Sequence, residues 1–248
     1  SEVNSVCVSV PIPSPYFPEP ITVAGNVGSA GYAAVVRYTR SVALGHLLSL
    51  LAIVGLTAAW MRPQGVERLL SYGPEPFWVA TLAAFVLLAI GRHAPLALQL
   101  VIFSVFAVGV SGTAALWAPV VVEDFPDFAK AIAWTFSSGW VALFLYNIAA
   151  SRDYSYLGQY VLVWLATGLS IVVYTWLSDI VLSLAFASFV VFSAVLFYYL
   201  YDLSMILRRR LPHQVVAGAL DLYRDALNFV GFPVRVMRMP RGLRRKRD

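Results

Sequence analysis

The chain has 248 residues, of which 60% are hydrophobic and only 12% charged, and its mean hydropathy is +0.74. A soluble domain is roughly 45–50% apolar and about 25% charged, so this composition excludes an ordinary water-soluble fold and predicts an all-α integral membrane protein. The formal net charge of +5 is carried almost wholly by arginine, and the single Cys7 excludes an internal disulfide.

Residues 1–36 read as an extended N-terminal arm. Pro11, Pro13, Pro15, Pro18 and Pro20 forbid a regular helix there, because proline lacks the amide hydrogen and clashes with the preceding turn. The glycines of Gly25-Asn-Val-Gly28-Ser-Ala-Gly31 read as a flexible linker, since a phosphate loop needs a following lysine and a strand-loop-helix setting. The opening stretch has neither the basic start nor the apolar centre of a signal peptide. Beginning at Ser1, it reads as a mature chain whose targeting segment has been removed.

From Ser41 onward the sequence falls into seven apolar runs, near 41–60, 76–91, 95–120, 129–150, 155–177, 180–201 and 212–236. A membrane-crossing helix needs about 20 residues, so each run is a candidate span and residues 37–236 form the predicted transmembrane domain. Gly109, Ser111 and Gly112 are small enough to let helices approach closely. The last run starts at Pro212, a good first-turn residue, and carries Asp221, Arg224 and Asp225. Their i, i+3, i+4 spacing puts them on one face, so this helix belongs inside a bundle and not against lipid.

Seven spans would gather Arg37, Arg40, Arg92, Arg152 and Arg208 to Arg210 at one membrane face, and Glu123, Asp124, Asp127 and Asp179 at the other. The basic tail, residues 237–248, would then join the acidic face, against the positive-inside tendency. Either the last run re-enters without crossing, or a partner or lipid holds the tail. Its residues Arg241, Arg244, Arg245, Lys246 and Arg247 suit an anionic lipid such as cardiolipin, or an acidic partner surface. No aromatics are interleaved with them, which speaks against nucleic acid. His46, His93 and His213 are scattered without metal-ligand spacing, and no nucleophile–base set is visible, so neither an enzyme nor a bound cofactor is expected.

Two carboxylates in the last apolar runs are the strongest functional signal. Asp202 lies in Phe197-Tyr-Tyr-Leu-Tyr-Asp202-Leu, and Asp225 follows Arg224 in the last run. A carboxylate in hydrocarbon is costly and usually marks a site. The plainer alternative for Asp202 is an interfacial residue ending its helix.

Tyr201-Asp202-Leu, a basic loop, then Leu222-Tyr223-Arg224-Asp225-Ala-Leu-Asn228-Phe229 resembles the closing signature of the Bax inhibitor (transmembrane Bax inhibitor motif) family. Arg92, Phe106 to Gly112 and Asp153-Tyr154-Ser155 fall where that family has similar residues, so the likeness runs over roughly 41–236. The wording Asp-Ala-Leu-Asn-Phe is most similar to the mitochondrial, growth-hormone-inducible branch. The resemblance implies seven helices with the last one central, and a pH-sensitive calcium leak or calcium/proton exchange. In that picture Asp202 and Asp225 pair as the gate, with calcium as the permeant ion, and Arg92 latches it. The family usually has an apolar residue where this chain has Arg224, and a guanidinium there can neutralise Asp221 or Asp225.

Two functions fit these residues. One is a calcium channel or exchanger using Asp202, Asp225 and Arg92. The other is a non-catalytic accessory subunit of a large mitochondrial inner-membrane complex, respiratory or ATP-synthesising, touching other subunits through the arm and the basic tail.

Overall fold

A computed structural model describes residues 23–91, 94–150, 154–178 and 180–224. Among these residues the protein is helical throughout, without strands. A short 3-10 turn, Val27–Ser29, precedes α1 (Tyr32–Trp60), α2 (Pro63–Tyr72), α3 (Glu75–Ile90), α4 (Leu96–Asp124), α5 (Pro126–Ala149), α6 (Tyr156–Ser178) and α7 (Leu182–Arg209). A final helix, α8, covers 215–224 up to the edge of the described chain.

Five helices, α1, α4, α5, α6 and α7, are long and apolar enough to cross a membrane. Their outward faces carry exposed Leu, Val and Trp, such as Leu51, Val54, Leu169 and Trp176, as a lipid-facing surface requires. Inward-facing hydroxyls return to their own helix: Thr135 donates to the Ala131 carbonyl, Thr167 to Val163 and Ser188 to Leu184. That local bonding lets a hydroxyl sit where no water reaches.

The structure departs from the seven apolar runs in three places. α3 has 16 residues, about 24 Å of helix, against a hydrocarbon core of about 30 Å. α2 was not foreseen, because its ten residues mix Glu67 and Arg68 with Leu69, and only Leu69 is buried. α1 begins at Tyr32, inside the stretch read as arm. Within the last run, only residues up to 224 are described.

Chain turns follow local chemistry. Pro63, Pro76 and Pro126 occupy first-turn positions, where the missing amide hydrogen costs nothing. α2 stops at Gly73, whose φ of 74° favours glycine. α3 lies along α4 because Gly109 and Gly112 leave room for it. A Cβ on Gly109 would sit 2.9 Å from the Thr81 amide nitrogen, and one on Gly112 would enter the Phe77 ring. Gly139 of α5 admits the Phe192 ring of α7 in the same way.

α8 occupies the middle. Every residue from 217 to 224 is buried, on all faces of the helix. Gly218 and Ala219 meet α1 at Tyr38, Val42 and Gly45, and Tyr223 packs on Phe103 and Phe106 of α4 at ring separations of 4.9 and 5.9 Å. The main apolar cluster gathers Val42, Leu143, Phe192, Leu196, Leu203, Ile206 and Leu222 around it.

Candidate functional site

Asp221 lies about 9 Å along α8 from its first residue, at 1.5 Å per residue. Its side chain has no solvent exposure. Arg210 grips it with two parallel bonds, Nε to Oδ2 at 2.6 Å and Nη2 to Oδ1 at 2.8 Å. Arg224, one turn further along α8, adds Nη1 to Oδ1 at 2.6 Å. The Arg224 guanidinium also donates Nε to the Leu88 carbonyl of α3 at 2.6 Å and Nη2 to Gln99 Oε1 of α4 at 2.7 Å. Gln99 closes the network by donating Nε2 to the Ala94 carbonyl at 2.6 Å. One carboxylate, two arginines and an amide thereby tie α3, α4, α8 and the end of α7 together.

Local structure explains how the parts arrive. α7 ends because Arg210 leaves the helical region at φ −121°, ψ 150°. That single step swings its side chain inward, while Arg208 and Arg209 remain in the last helical turn. Gln214 then fixes the tight turn into α8, its side-chain oxygen accepting from the Leu211 amide at 3.1 Å. The N-terminal segment seals the same end. Val23 N–H donates to the Arg208 carbonyl at 3.0 Å and Val27 N–H to the Arg210 carbonyl at 2.9 Å, so two carbonyls at the end of α7 are satisfied. Val27 is fully buried, and Asn26 braces the strap by accepting from Ser29 N–H and donating to the Val23 carbonyl. Arg40 of α1 caps α5 from the side, donating to the carbonyls of Asn147 at 2.8 Å and Ile148 at 2.9 Å.

The buried pair is electrostatically demanding. Taking charges out of water costs several kcal/mol per ion, which only close, multiply bonded partners can offset. Three short charge-assisted bonds on one carboxylate are that offset. Below the centre the polar groups thin out. His46 of α1 stacks on Tyr199 at 5.5 Å and lies 4.6 Å from Tyr223, whose hydroxyl is 2.6 Å from Ser49 Oγ. Tyr223 also belongs to an apolar cluster with Ile53, Ala84, Leu88 and Phe106.

Of the residues singled out from sequence, Asp221 and Arg224 meet in the centre. Asp202 is buried inside α7 two turns before its end, so it does not terminate the helix at an interface. Asp225, Arg92 and the tail residues Arg241, Arg244, Arg245, Lys246 and Arg247 lie outside the described residues. Sequence reasoning took Arg210 for part of a topological anchor and passed over Gln99. Gln99 carried a usable signal, being a lone amide in an apolar run; the inward turn of Arg210 carried none. Among the described residues no cluster of three or more His, Cys, Asp or Glu is placed to hold a metal ion.

Fold and centre together define an all-helical integral membrane protein with a charged lock at one end of its bundle. Comparison with family models, with curated proteins and with solved structures returned no match.

Proposed function

We propose that this protein is a non-catalytic structural subunit of a larger membrane assembly, a Bax-inhibitor-like bundle whose charged centre locks helices and does not conduct. The observation that carries this reading is the coordination of Asp221, fully buried with both oxygens occupied by guanidinium groups. Calcium needs several oxygen ligands with net negative charge, and a carboxylate clamped by two arginines offers neither. The apolar cluster of Ile53, Ala84, Leu88 and Phe106 packed on Tyr223 supports the same reading. A seven-span arrangement would need two crossings beyond the five long helices. The sequence resemblance favours the mitochondrial inner membrane, with a respiratory or ATP-synthesising complex as host.

A second reading, the pH-sensitive calcium leak through Asp202 and Asp225, is favoured by the burial of Asp202 within α7. One pair of measurements separates the two. On a native gel of gently solubilised membranes, the structural subunit co-migrates with a large complex, and the purified chain passes no calcium in liposomes. Acid-sensitive calcium flux that disappears in both Asp202→Asn and Asp225→Asn would instead establish the leak.

A further inference from the structure

Helices α6 and α7 enclose a groove of about 580 Å³ on the outer face of the bundle, within the range of about 300–1,000 Å³ common for ligand sites. Leu157, Tyr160, Phe197 and Leu200 form its apolar length, and Tyr160 meets the Phe197 ring edge-on at 6.1 Å. Tyr156, Tyr201 and Ser204 line the end nearer the ionic centre.

Past that end the same face of α7 reaches a charge. Phe197, Tyr201, Ser204 and Arg208 recur at i, i+4, i+7 and i+11, so they share one stripe of the helix. Arg208 stands about 6 Å along the axis from Ser204. It is exposed, whereas Arg209 and Arg210 are buried. The described carboxylates at this end, Asp202 and Asp221, are buried, and the exposed Glu67, Glu75, Glu123 and Asp124 lie at the opposite end of the bundle. Among the described residues, the mouth of the groove is therefore positive.

The chemistry of Arg208 sets the depth of that mouth. An exposed guanidinium on a bilayer-crossing helix is too costly in hydrocarbon, so its long side chain must reach the headgroup layer. Tyr156 and Tyr201 just below it suit the same boundary. We propose that this groove binds one phospholipid with a net negative headgroup, its acyl chain along Phe197, Leu200 and Leu157 and its phosphate paired with Arg208. The site is separate from the basic tail, residues 237–248.

The full chain is purified in a neutral detergent and titrated with phosphatidylglycerol or phosphatidylcholine of identical acyl chains, and bound lipid is counted by native mass spectrometry. One phosphatidylglycerol should bind about fivefold more tightly than phosphatidylcholine, since one arginine near the surface favours an anionic headgroup by about that factor. Arg208→Gln should remove the preference and Arg208→Lys should keep it. Phe197→Ala, at a position 63% exposed, should weaken both lipids and leave their ratio unchanged, because it trims only the apolar contact. Equal binding of the two lipids, or unchanged binding of both in Phe197→Ala, would overturn the proposal. So would an Arg208→Gln protein that still prefers phosphatidylglycerol, the result expected if the basic tail holds the lipid.

Discussion

Replacing Asp221 with asparagine keeps the shape of the ionic centre and removes its only described anion. The carboxylate accepts three bonds of 2.6, 2.8 and 2.6 Å from two guanidinium groups. Asparagine can accept through one oxygen only, and its NH2 group would point a donor at a donor. The arginines it would leave behind are buried, with side chains 7% and 0% exposed. Removing one partner of a buried ion pair costs about 3–5 kcal/mol, because the remaining charge stays out of water. For a chain of this size each kcal/mol lowers the melting midpoint by about 2–4 °C, which gives a drop of about 6–20 °C. Tryptophan fluorescence of the detergent-solubilised protein, heated at one fixed scan rate for all variants, measures it. Gln99→Leu provides the internal scale. It removes a support of Arg224 but leaves the carboxylate in place, so it should cost about 1–3 kcal/mol. A midpoint for Asp221→Asn within about 2 °C of wild type, or a larger loss for Gln99→Leu than for Asp221→Asn, would refute the assignment of Asp221 as keystone of the network.

Three further outcomes follow from the packing. Gly139→Ala drives a methyl into the Phe192 ring and should cost about 1–3 kcal/mol by overpacking; Gly139→Ala/Phe192→Leu should recover part of the loss in a double-mutant cycle. Val27→Asp buries a charge under the strap and should destabilise by about 3 kcal/mol, exposing residues 23–31 to proteinase K under conditions in which the parent is uncut. Tyr154, in the α5–α6 connection, is held above the ordinary phenol range by burial, with Tyr156, Tyr199 and Tyr146 nearby adding to the effect. Its folded form therefore resists ionisation, so its contribution is complete below the unfolded value of about 10 and is lost as pH rises above it. Tyr154→Phe should be less stable at neutral pH, having lost the bond to Gln159, yet should show a shallower fall in melting midpoint between pH 10 and 11.

The long helices were legible in the sequence because lipid imposes one rule on every outward face, and 20-residue apolar runs have few other uses. The charged face of α8 was legible too, since Asp221 and Arg224 stand at a helical i, i+3 spacing in an apolar run. What escaped was governed by single backbone steps or by short-range balance. α2 escaped because ten residues with mixed polarity resemble a loop until Leu69 is seen to be buried. Arg210 escaped because three successive arginines at a helix end look like a membrane anchor. Arg209 is buried as well, but only Arg210 takes the extended backbone that leads to Asp221. Its pairing with Asp221, 11 residues later, is a property of the turn at Leu211 to Gln214.

The bonds of Arg224 join residues 136 and 125 positions apart in the chain, to Leu88 and Gln99. A ribosome delivers α3 and α4 to the membrane long before it makes α8. Biogenesis therefore passes through a vacant-hub stage, with the Leu88 carbonyl and the Gln99 amide waiting inside a half-built ring. Closure comes when α8 enters the hub, bringing Asp221 and Arg224 together as an already bonded pair. A chain stopped at Leu211 would keep all five long helices and lack the helix that joins them.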